Sequence, residues 1–280
     1  MNEDKEKVKE QMIKVWDTVA PSFGTIGPRY WNSFGNRLVE LATINEGSQV
    51  LDIGTGRGAS LFPAIEKVGL RGCVTGIDLS EGMVRETNAD ITNQGIKNAI
   101  ILQMDANKLT FNNASFDNIL CGFALGALIQ EDNKLSEVLR VLKSNGQIGL
   151  SIWGVQEDNK WLVGLGNKHL KLNPTAENKK SNFNDPTFDV CTWVTNMLTD
   201  AGFKDIHTYA QVEDVIYKDE EEWWNEMWSN GVRFTLDKLK DIGDAALEAF
   251  KSEAFDGLVK YKKGTTICFK RSVVYAFAKK

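Results

Sequence analysis

The feature that most constrains the fold is a short apolar run that ends in an aspartate and is followed by glycines at alternate positions. The stretch reads VLDIGTGRGAS and covers residues 50–60. Glycine adopts left-handed backbone conformations at no steric cost and lets the chain approach a ligand closely. Gly54, Gly56 and Ala59 also fit the loose G-x-G-x-x-G/A spacing of dinucleotide-binding turns. The stretch predicts a strand, a turn and a helix that together hold an adenosine-containing ligand.

Apolar runs and amphipathic helical patterns alternate along the chain. Continuous apolar runs without polar alternation are typical of parallel strands that helices cover on both faces. The predicted strands of this kind are residues 49–53, 73–77, 99–103, 116–121 and 147–153. Two further strands, 203–215 and 265–277, enclose helical patterns and predict an antiparallel pair near the C-terminus. The pattern as a whole predicts a doubly wound α/β domain.

The composition favours an ordinary globular protein with a small-molecule partner. Of 280 residues, 42% are hydrophobic, and the net charge of −5 argues against a surface for nucleic acid, which needs clustered Lys and Arg. The charged N-terminal stretch lacks the apolar core of a signal peptide, and the apolar run 119–129 is too short for membrane insertion. The four scattered cysteines are expected to be reduced thiols. We expect a cytoplasmic location.

Three acidic residues accompany the glycine turn at the ends of successive strands. Asp52 directly precedes the glycines, where it could counter the α-amino group of a methionine moiety. Asp78 lies 22 positions after Gly56, where a carboxylate can accept hydrogen bonds from both hydroxyls of a ribose. Asp105 can accept from an adenine amine while the backbone of Ala106 contacts the ring edge. Structural roles are the alternatives, a capped turn for Asp105 and a polar strand end for Asp52.

The glycine turn and Asp78 suit a nicotinamide cofactor as well as other adenosine-containing molecules. Neither histidine, His169 or His207, lies within the predicted five-strand core, and we find no hydride-transfer apparatus there. Asp52 and Asp105 favour a ligand with a methionine part over a nicotinamide. An NAD-dependent oxidoreductase and a catalytically silent cofactor-binding regulatory protein are the alternatives to the enzyme described next.

Five stretches together resemble the class I S-adenosylmethionine-dependent methyltransferases. They read VLDIGTGRG, GIDLSEGMV, MDANKLTF, FDNILCGFAL and LSEVLRVLKSNGQIGLSIW. The chain is most similar to the branch that contains ubiquinone/menaquinone-biosynthesis and natural-product methyltransferases, over roughly residues 16–153. The resemblance implies a Rossmann-like seven-stranded sheet with an antiparallel last strand, N-terminal helices and a helical lid lobe. It also implies S-adenosylmethionine as cofactor and S-adenosylhomocysteine as product.

The domain organisation is predicted from the regular α/β pattern and the places where it is interrupted. The expected parts are an N-terminal helical cover at 1–46, a cofactor-binding core at 47–154, a lid excursion at 155–186, and the rest of the core at 187–280 with a helical lid insertion at 217–262. The polar stretch 173–186 reads as an exposed loop. No substrate signature is evident beyond residue 153, so the resemblance indicates the cofactor more closely than the methyl acceptor.

The cofactor-binding residues follow from the same resemblance. In chain order they are Phe23, Trp31, Asp52, Gly54, Gly56, Asp78, Leu79, Met83, Asp105, Ala106, Cys121 and Phe123. Leu79 and Met83 would flank the ribose and adenine, and Cys121 and Phe123 would lie beside the sulfonium and the incoming substrate. The first two residues of the set belong to the N-terminal segment that covers the cofactor in this family. Core packing is the alternative for both.

The implied reaction is methyl transfer to a small, apolar or aromatic acceptor by in-line displacement. The sulfonium is already a good leaving group, so alignment of the reactants and exclusion of water supply most of the acceleration. A general base is needed only if the acceptor must lose a proton; His169 is the candidate, and a surface role is the alternative for it. Trp228 and Phe234, in the aromatic stretch 220–234, are candidate acceptor contacts, although this stretch also suits the core of an accessory lobe. No motif indicates a metal, and the oligomeric state is open.

Overall fold

The structure is a computed structural model of the chain, and it describes residues 2–128, 135–172 and 187–280. The helices are α1 (Asn2–Val19), α2 (Tyr30–Leu41), α3 (Leu61–Val68), α4 (Glu81–Asn93), α5 (Leu125–Leu128), α6 (Ser136–Val141), α7 (Asn159–His169), α8 (Val190–Asp200), α9 (Glu220–Trp228), α10 (Arg233–Ile242) and α11 (Asp244–Leu258). The strands are β1 (Gln49–Ile53), β2 (Cys73–Asp78), β3 (Ala99–Gln103), β4 (Phe116–Gly122), β5 (Leu142–Trp153), β6 (Lys204–Tyr217), β7 (Lys262–Lys263) and β8 (Thr266–Lys279).

The strands form one mixed sheet in the order β3-β2-β1-β4-β5-β8-β6, and β7 pairs antiparallel with β8. The strand pairs from β3 to β5 along this path are parallel. The chain order reverses between β1 and β4, and ligands of doubly wound sheets bind outside the carboxyl ends of the strands at such a switch point. The expectation of a doubly wound, Rossmann-like sheet with antiparallel C-terminal strands is confirmed.

The strand register aligns the carboxyl ends that carry the candidate site. Asp52 of β1 lies opposite Gly76 of β2 on one side and opposite Leu120 of β4 on the other. Asp78, the last residue of β2, pairs with Gln103 at the end of β3. Three of the predicted site segments therefore begin at one edge of the sheet, because parallel strands in register end together.

The chain divides into two compact units. We call the first the sheet unit; it comprises Tyr30–Ile152, Cys191–Ala210 and Val273–Lys280. We call the second the helical unit; it comprises Met1–Arg29, Trp153–Val190 and Gln211–Ser272. Helix α2 belongs to the sheet unit, whereas α1 belongs to the helical unit. The four-part organisation expected from the sequence stays a prediction. Among the described residues, no helix has both the length and the apolar character that a membrane span requires.

The sheet unit is held together by close helix packing on both sides of the glycine turn. Helix α2 buries Phe34 and Leu38, and its Gly35 lies so close to α3 that an added Cβ would be 2.2 Å from the carbonyl oxygen of Ala59. Helix α4 begins where the sequence predicts, because the Ser80 hydroxyl accepts a hydrogen bond from the backbone N–H of Met83 at 3.1 Å.

The helical unit has an aromatic core of its own. Trp161 of α7 stacks on Trp223 of α9, with ring centroids 6.2 Å apart and planes at 26°. Its indole also lies against α11 at Gly257, where an added Cβ would be 2.3 Å from the ring. The buried ion pair between Arg271 and Asp158 ties β8 to the start of α7, and its side chains are 13% and 5% exposed. Contacts among α7, α9, α11 and β8 thus form the interior of this unit.

Helix α7 is the main element that the sequence analysis missed. Its sequence, NKWLVGLGNKH, contains two glycines and two asparagines, which have low helix propensity. Tertiary packing compensates, since Leu165 is buried and Trp161 packs on α9 and α11. The polar loop expected at 173–186 lies outside the described residues.

Two strands differ in detail from the expectation. Strand β5 begins at Leu142 instead of residue 147, and its first residues contain an irregularity in the pairing with β4. There Asn145 has a φ of +64°, and pairing shifts from Phe116↔Leu142 to Asn118↔Gln147. The two-residue strand β7 adds an eighth strand to the seven expected.

Candidate cofactor-binding site

The glycine turn after β1 has the left-handed backbone that its sequence predicts. Gly54, Gly56 and Gly58 have φ values of +66°, +51° and +79°. A Cβ added at Gly54 would be 2.3 Å from the methyl carbon of Ala124. A larger residue is therefore excluded both by this steric clash and by the left-handed backbone conformation. The turn brings the chain after β4 into contact with the chain after β1.

Asp78 joins the glycine turn to the start of α4. Its carboxylate accepts hydrogen bonds from the backbone N–H of Gly56 and of Ser80, both at 2.9 Å. A carboxylate oxygen has two lone pairs, so an oxygen that accepts one N–H is able to accept a hydroxyl as well. The side chain is half-buried at the carboxyl end of β2. The residue expected to bind a ribose thus also holds the turn in place, a structural role that the sequence analysis did not foresee.

Asp52 is fully buried beneath the turn. Its carboxylate accepts hydrogen bonds from the hydroxyls of Thr55 at 2.7 Å and Ser60 at 2.8 Å. Burial raises its pKa to about 6; the two hydroxyls oppose the rise, and the negative charge of Asp78 adds to it. The hydrogen bonds show a structural role for Asp52, and its expected contact with an α-amino group stays a prediction.

The raised pKa of Asp52 predicts an unusual pH dependence of stability. An unfolded aspartate titrates near pH 4, so the folded protein holds this proton more tightly, and the resulting stabilisation is lost as the pH rises through about 6. We expect the wild type to lose roughly 3 kcal/mol of unfolding free energy relative to Asp52→Asn between pH 4 and pH 7. Urea unfolding of both proteins over this range measures the difference.

Asp117 provides the matched control for this titration. Burial works to raise the pKa of Asp117, but its bonds to Lys143 and to the Gln49 N–H outweigh burial and lower it. Relative to Asp117→Asn, the wild type should therefore gain stability as the pH rises through the acidic range, the opposite sign. Parallel stability curves for the wild type and Asp52→Asn would contradict the assignment of the titration to Asp52.

Asp105 and Ala106 follow β3 in a tight turn. Oδ1 of Asp105 accepts hydrogen bonds from the backbone N–H of Asn107 at 2.9 Å and from its side-chain amide at 3.0 Å. The capped turn considered as the structural role is therefore present. Ala106 is buried, and the backbone N–H of Met104 donates to the Asp78 carbonyl at 2.9 Å, which anchors this turn to the end of β2.

Leu79 and Met83 flank the same edge of the sheet. Leu79 is half-buried directly after Asp78, and its carbonyl accepts a hydrogen bond from the Gln103 side chain at 3.1 Å. Met83 is buried in the first turn of α4. Both residues therefore lie close to Asp78 in the chain, the residue expected to bind the ribose. Their contact with a cofactor stays a prediction.

The chain after β4 brings two further predicted residues to the glycine turn. Burial raises the pKa of the fully buried Cys121 thiol far above its ordinary range, and the Asp52 carboxylate raises it further, so this thiol is not a nucleophile. Phe123 has a φ of +58°, which costs about 1–2 kcal/mol for a residue with a side chain. Its ring packs against Trp31, with centroids 5.5 Å apart and planes at 84°.

Four of the predicted residues belong to the helical unit. The Phe23 ring packs edge-on against Trp16 at 5.6 Å. His169 ends α7, and its Nε2 lies 2.9 Å from an Oε2 that belongs to Glu253 of α11. The two candidate acceptor contacts each have a cation over the ring: the Arg233 guanidinium is 5.3 Å from Trp228, and the Lys238 ammonium is 4.0 Å from Phe234. The roles predicted for these four residues stay predictions.

Three hydroxyls around the turn were missed from the sequence. Thr55 and Ser60 donate to Asp52, and Thr87 of α4 donates to the carbonyl of Gly56 at 2.6 Å. Ser60 precedes α3 and reads as a helix cap, yet its hydroxyl turns to the buried carboxylate. A buried aspartate at a strand end needs hydrogen-bond donors nearby. This requirement could have indicated from the sequence that the neighbouring hydroxyls bond to Asp52.

The site combines flexible-backbone glycines, a half-buried carboxylate and an aromatic wall at the carboxyl ends of β1, β2 and β4. Such an arrangement can hold a nucleoside by its ribose hydroxyls and place its substituent beside the end of β4. In the ranges that the structure describes, no group of three or more His, Cys, Asp or Glu side chains is arranged to hold a metal ion.

Comparison with known proteins shows which proteins the chain is similar to. Residues 50–146 match a family model described as a methyltransferase domain. The chain is 35% identical over 143 residues to aklanonic acid methyltransferase DauC of Streptomyces sp. (strain C5), an alignment that covers 51% of this chain and 65% of the relative. It is 30% identical over 152 residues to the demethylmenaquinone methyltransferase of Listeria monocytogenes serotype 4a, covering 53% and 63%. The chain thus spans less than two thirds of either relative.

A solved structure shows the same fold over most of the chain. The YcgJ protein from Bacillus subtilis superposes with a TM-score of 0.57 at 18% identity, covering 89% of this chain and 98% of the other. Fold and site define an α/β protein with a glycine turn at the switch point of its sheet. These matches confirm the resemblance to the class I S-adenosylmethionine-dependent methyltransferases. The nicotinamide alternative gains no support from these relatives.

Substitution of Asp78 by asparagine tests the ribose assignment. The asparagine amide can accept at one oxygen only and places an NH₂ group against one of the two backbone donors. We expect the affinity for S-adenosylhomocysteine to fall by about 1–3 kcal/mol, together with a smaller loss of stability from the loosened turn. Calorimetric titration and urea unfolding measure the two effects separately, and an unchanged dissociation constant would place the ribose elsewhere.

Proposed function

We propose that this protein transfers a methyl group from S-adenosylmethionine to a small, apolar or aromatic acceptor by in-line displacement. The observation that carries the proposal is the Asp78 bridge, in which one half-buried carboxylate joins the backbone of Gly56 to the start of α4 at the switch point. The match to a methyltransferase domain supports the cofactor, since the matched residues 50–146 include the whole turn, Asp78 and Asp105.

The residues present fit this cofactor. Gly54 and Gly56 leave no side chain between the turn and a ligand, and their positive φ values keep that backbone conformation. Asp78 would accept from the ribose hydroxyls, and the turn after β3 would lie along the adenine. Bound there, the sulfonium supplies an activated methyl group.

The chain's own contribution to the reaction is placement and the exclusion of water. Trp31 and Phe123 pack together at the end of β4, and in this proposal their apolar surface helps to exclude water. Cys121 stays protonated and supplies only apolar surface. In this proposal the enzyme holds acceptor and methyl group in line, because the leaving group needs no further activation.

His169 is the proposed base for an acceptor that must lose a proton. Glu253 sits at Nε2, and a carboxylate in this position fixes the imidazole tautomer and leaves Nδ1 to take the proton. Trp228 and Phe234 stay the proposed acceptor contacts. An aromatic acceptor is favoured by the two relatives, whose names refer to aklanonic acid and demethylmenaquinone, and by the aromatic composition of α9.

The experiment that tests the proposal follows a labelled methyl group. The purified protein is incubated with methyl-labelled S-adenosylmethionine and a panel of small aromatic acids, phenols and reduced quinones, with aliphatic amines and nucleic acid as comparison. We expect label in at least one aromatic product and none in nucleic acid. Label found only in nucleic acid or protein would contradict the acceptor class, and binding of the cofactor without any transfer would favour the regulatory alternative.

The location of the protein is also a proposal. The four cysteines form no disulfide, and Cys121 and Cys268 are buried, which supports a reducing compartment such as the cytoplasm. A fluorescent fusion examined by cell fractionation tests this, and recovery from an extracytoplasmic fraction would contradict it.

A further inference from the structure

Phe123 has a backbone conformation that a bulky residue adopts only where its surroundings impose it. Its φ of +58° is left-handed, and among the described residues with side chains and positive φ it is the only aromatic one. Such strain concentrates at ligand sites, because packing elsewhere offers no reason to keep it.

The contacts of Phe123 show what imposes this conformation. Its backbone N–H donates to the carbonyl of Ser151 in β5 at 2.9 Å, which continues the β4–β5 pairing for one residue past the strand. Its ring packs against Trp31 at 5.5 Å and against Phe34 at 5.8 Å. Phe34 is fully buried, whereas Phe123 and Trp31 are half-buried, so this aromatic cluster has a core side and an open side.

The next residue, Ala124, shows how close Phe123 lies to the glycine turn. The methyl group of Ala124 lies where a side chain at Gly54 would begin, 2.3 Å from an added Cβ. Phe123 is therefore the aromatic residue next to the turn, at the carboxyl end of β4. The family resemblance implies that the residue after β4 lies beside the sulfonium, and Phe123 has that place in the chain.

The chemistry of the two ligands differs at that substituent. S-adenosylmethionine carries a positive sulfonium, and S-adenosylhomocysteine carries a neutral thioether. The face of an aromatic ring attracts a cation and has no such attraction for the thioether. The nearby Cys121 thiol cannot supply a negative charge, because burial keeps it protonated.

We propose that Phe123, supported by Trp31, is a specificity-determining residue that favours the charged cofactor over its neutral product. This inference rests on the proposed function. Its consequence for the enzyme is relief of product inhibition, since the ring holds the sulfonium and releases the thioether. The left-handed backbone of Phe123 holds the ring between Trp31 and Phe34 at the end of β4, and in this proposal that fixed position is what the sulfonium meets.

The test measures the ratio of the two dissociation constants by calorimetry for wild type, Phe123→Leu and Phe123→Gly. Glycine accepts a φ of +58° without strain, so Phe123→Gly removes the ring and keeps the backbone even if the leucine variant fails to fold. We expect the preference for S-adenosylmethionine over S-adenosylhomocysteine to fall roughly 3- to 10-fold in both variants. Phe123→Tyr should keep it.

Phe111 provides the matched control, because it makes a similar edge-on ring contact with Phe116, in a different part of the sheet unit. Phe111→Leu should leave the ratio unchanged. Equal losses of affinity for both ligands, or loss of all binding, in both Phe123 variants would overturn the inference and leave Phe123 a packing residue. Failure of the wild type to bind either ligand would instead contradict the proposed function itself.

Discussion

Replacement of Arg271 by methionine is expected to destabilise the helical unit by about 3–5 kcal/mol. The guanidinium forms two bonds with the Asp158 carboxylate, at 2.5 and 3.1 Å, and the two side chains are 13% and 5% exposed. Removal of one partner leaves the Asp158 charge buried without its counter-ion, and this penalty exceeds the net worth of the pair. The chain loses the link between β8 and α7 at the same time.

Urea unfolding followed by tryptophan fluorescence measures this loss of stability, because most of the tryptophans belong to the helical unit. The tryptophans that belong to the helical unit are Trp16, Trp153, Trp161, Trp223, Trp224 and Trp228. Lys270 is the matched control, because it neighbours Arg271 and its ion pair with Asp214 is exposed. Lys270→Met should cost less than about 1 kcal/mol. Equal effects of the two substitutions would show that burial of the Arg271 pair carries no special penalty.

A double variant separates the penalty of an orphaned charge from loss of packing. Asp158→Leu combined with Arg271→Met replaces both charges by apolar groups of similar size. We expect it to lose less stability than Arg271→Met alone, since no charge is left buried. A double variant that is less stable than the single variant would mean that the pair itself, and not the unpaired carboxylate, dominates the energetics.

Replacement of Gly54 by alanine is expected to cost about 2–5 kcal/mol of stability and to weaken cofactor binding at least roughly tenfold. A residue with a side chain is strained at a φ of +66°, and the new methyl group would lie 2.3 Å from that of Ala124. Relief of the clash requires movement of the glycine turn, of the chain after β4, or of both. Either movement displaces the backbone that the cofactor would approach.

Gly95 isolates the conformational part of this effect. Its φ is +67°, almost the same as that of Gly54, and an added Cβ would meet nothing within 4 Å. Gly95→Ala should therefore cost about 1 kcal/mol and leave cofactor affinity unchanged. Calorimetry and urea unfolding of the two variants give the comparison. If Gly54→Ala behaves like Gly95→Ala in both measurements, the contact with Ala124 does not constrain the turn.

The sequence predicts the strands and the glycine turn closely because the conformation of these residues depends on their type and on their neighbours in the chain. Residues 49–53 and 99–103 are strands as predicted, since continuous apolar runs bounded by turn residues have few other folded solutions. Ser80 caps α4 because a serine before a helix has a donor within reach. Left-handed glycines after β1 follow from the same local logic.

What the sequence did not predict depends on contacts between distant residues. Helix α7 has weak propensity and relies on Trp161 reaching α9 and α11. The role of Ser60 depends on how Asp52 is buried, and the strain at Phe123 depends on Ser151 and Trp31. Helical or strand periodicity carries no information on such pairings, which arise only when the sheet has formed. The acceptor contacts are of this kind, and they stay predictions.

The measurement that tests the central claim most directly is a calorimetric titration of the wild-type protein with S-adenosylhomocysteine and, separately, with NAD. The account predicts saturable binding of one S-adenosylhomocysteine per chain and no detectable binding of NAD, because Asp52, Asp78 and Asp105 are predicted to contact the methionine part, the ribose and the adenine. Binding of NAD without binding of S-adenosylhomocysteine would contradict the account.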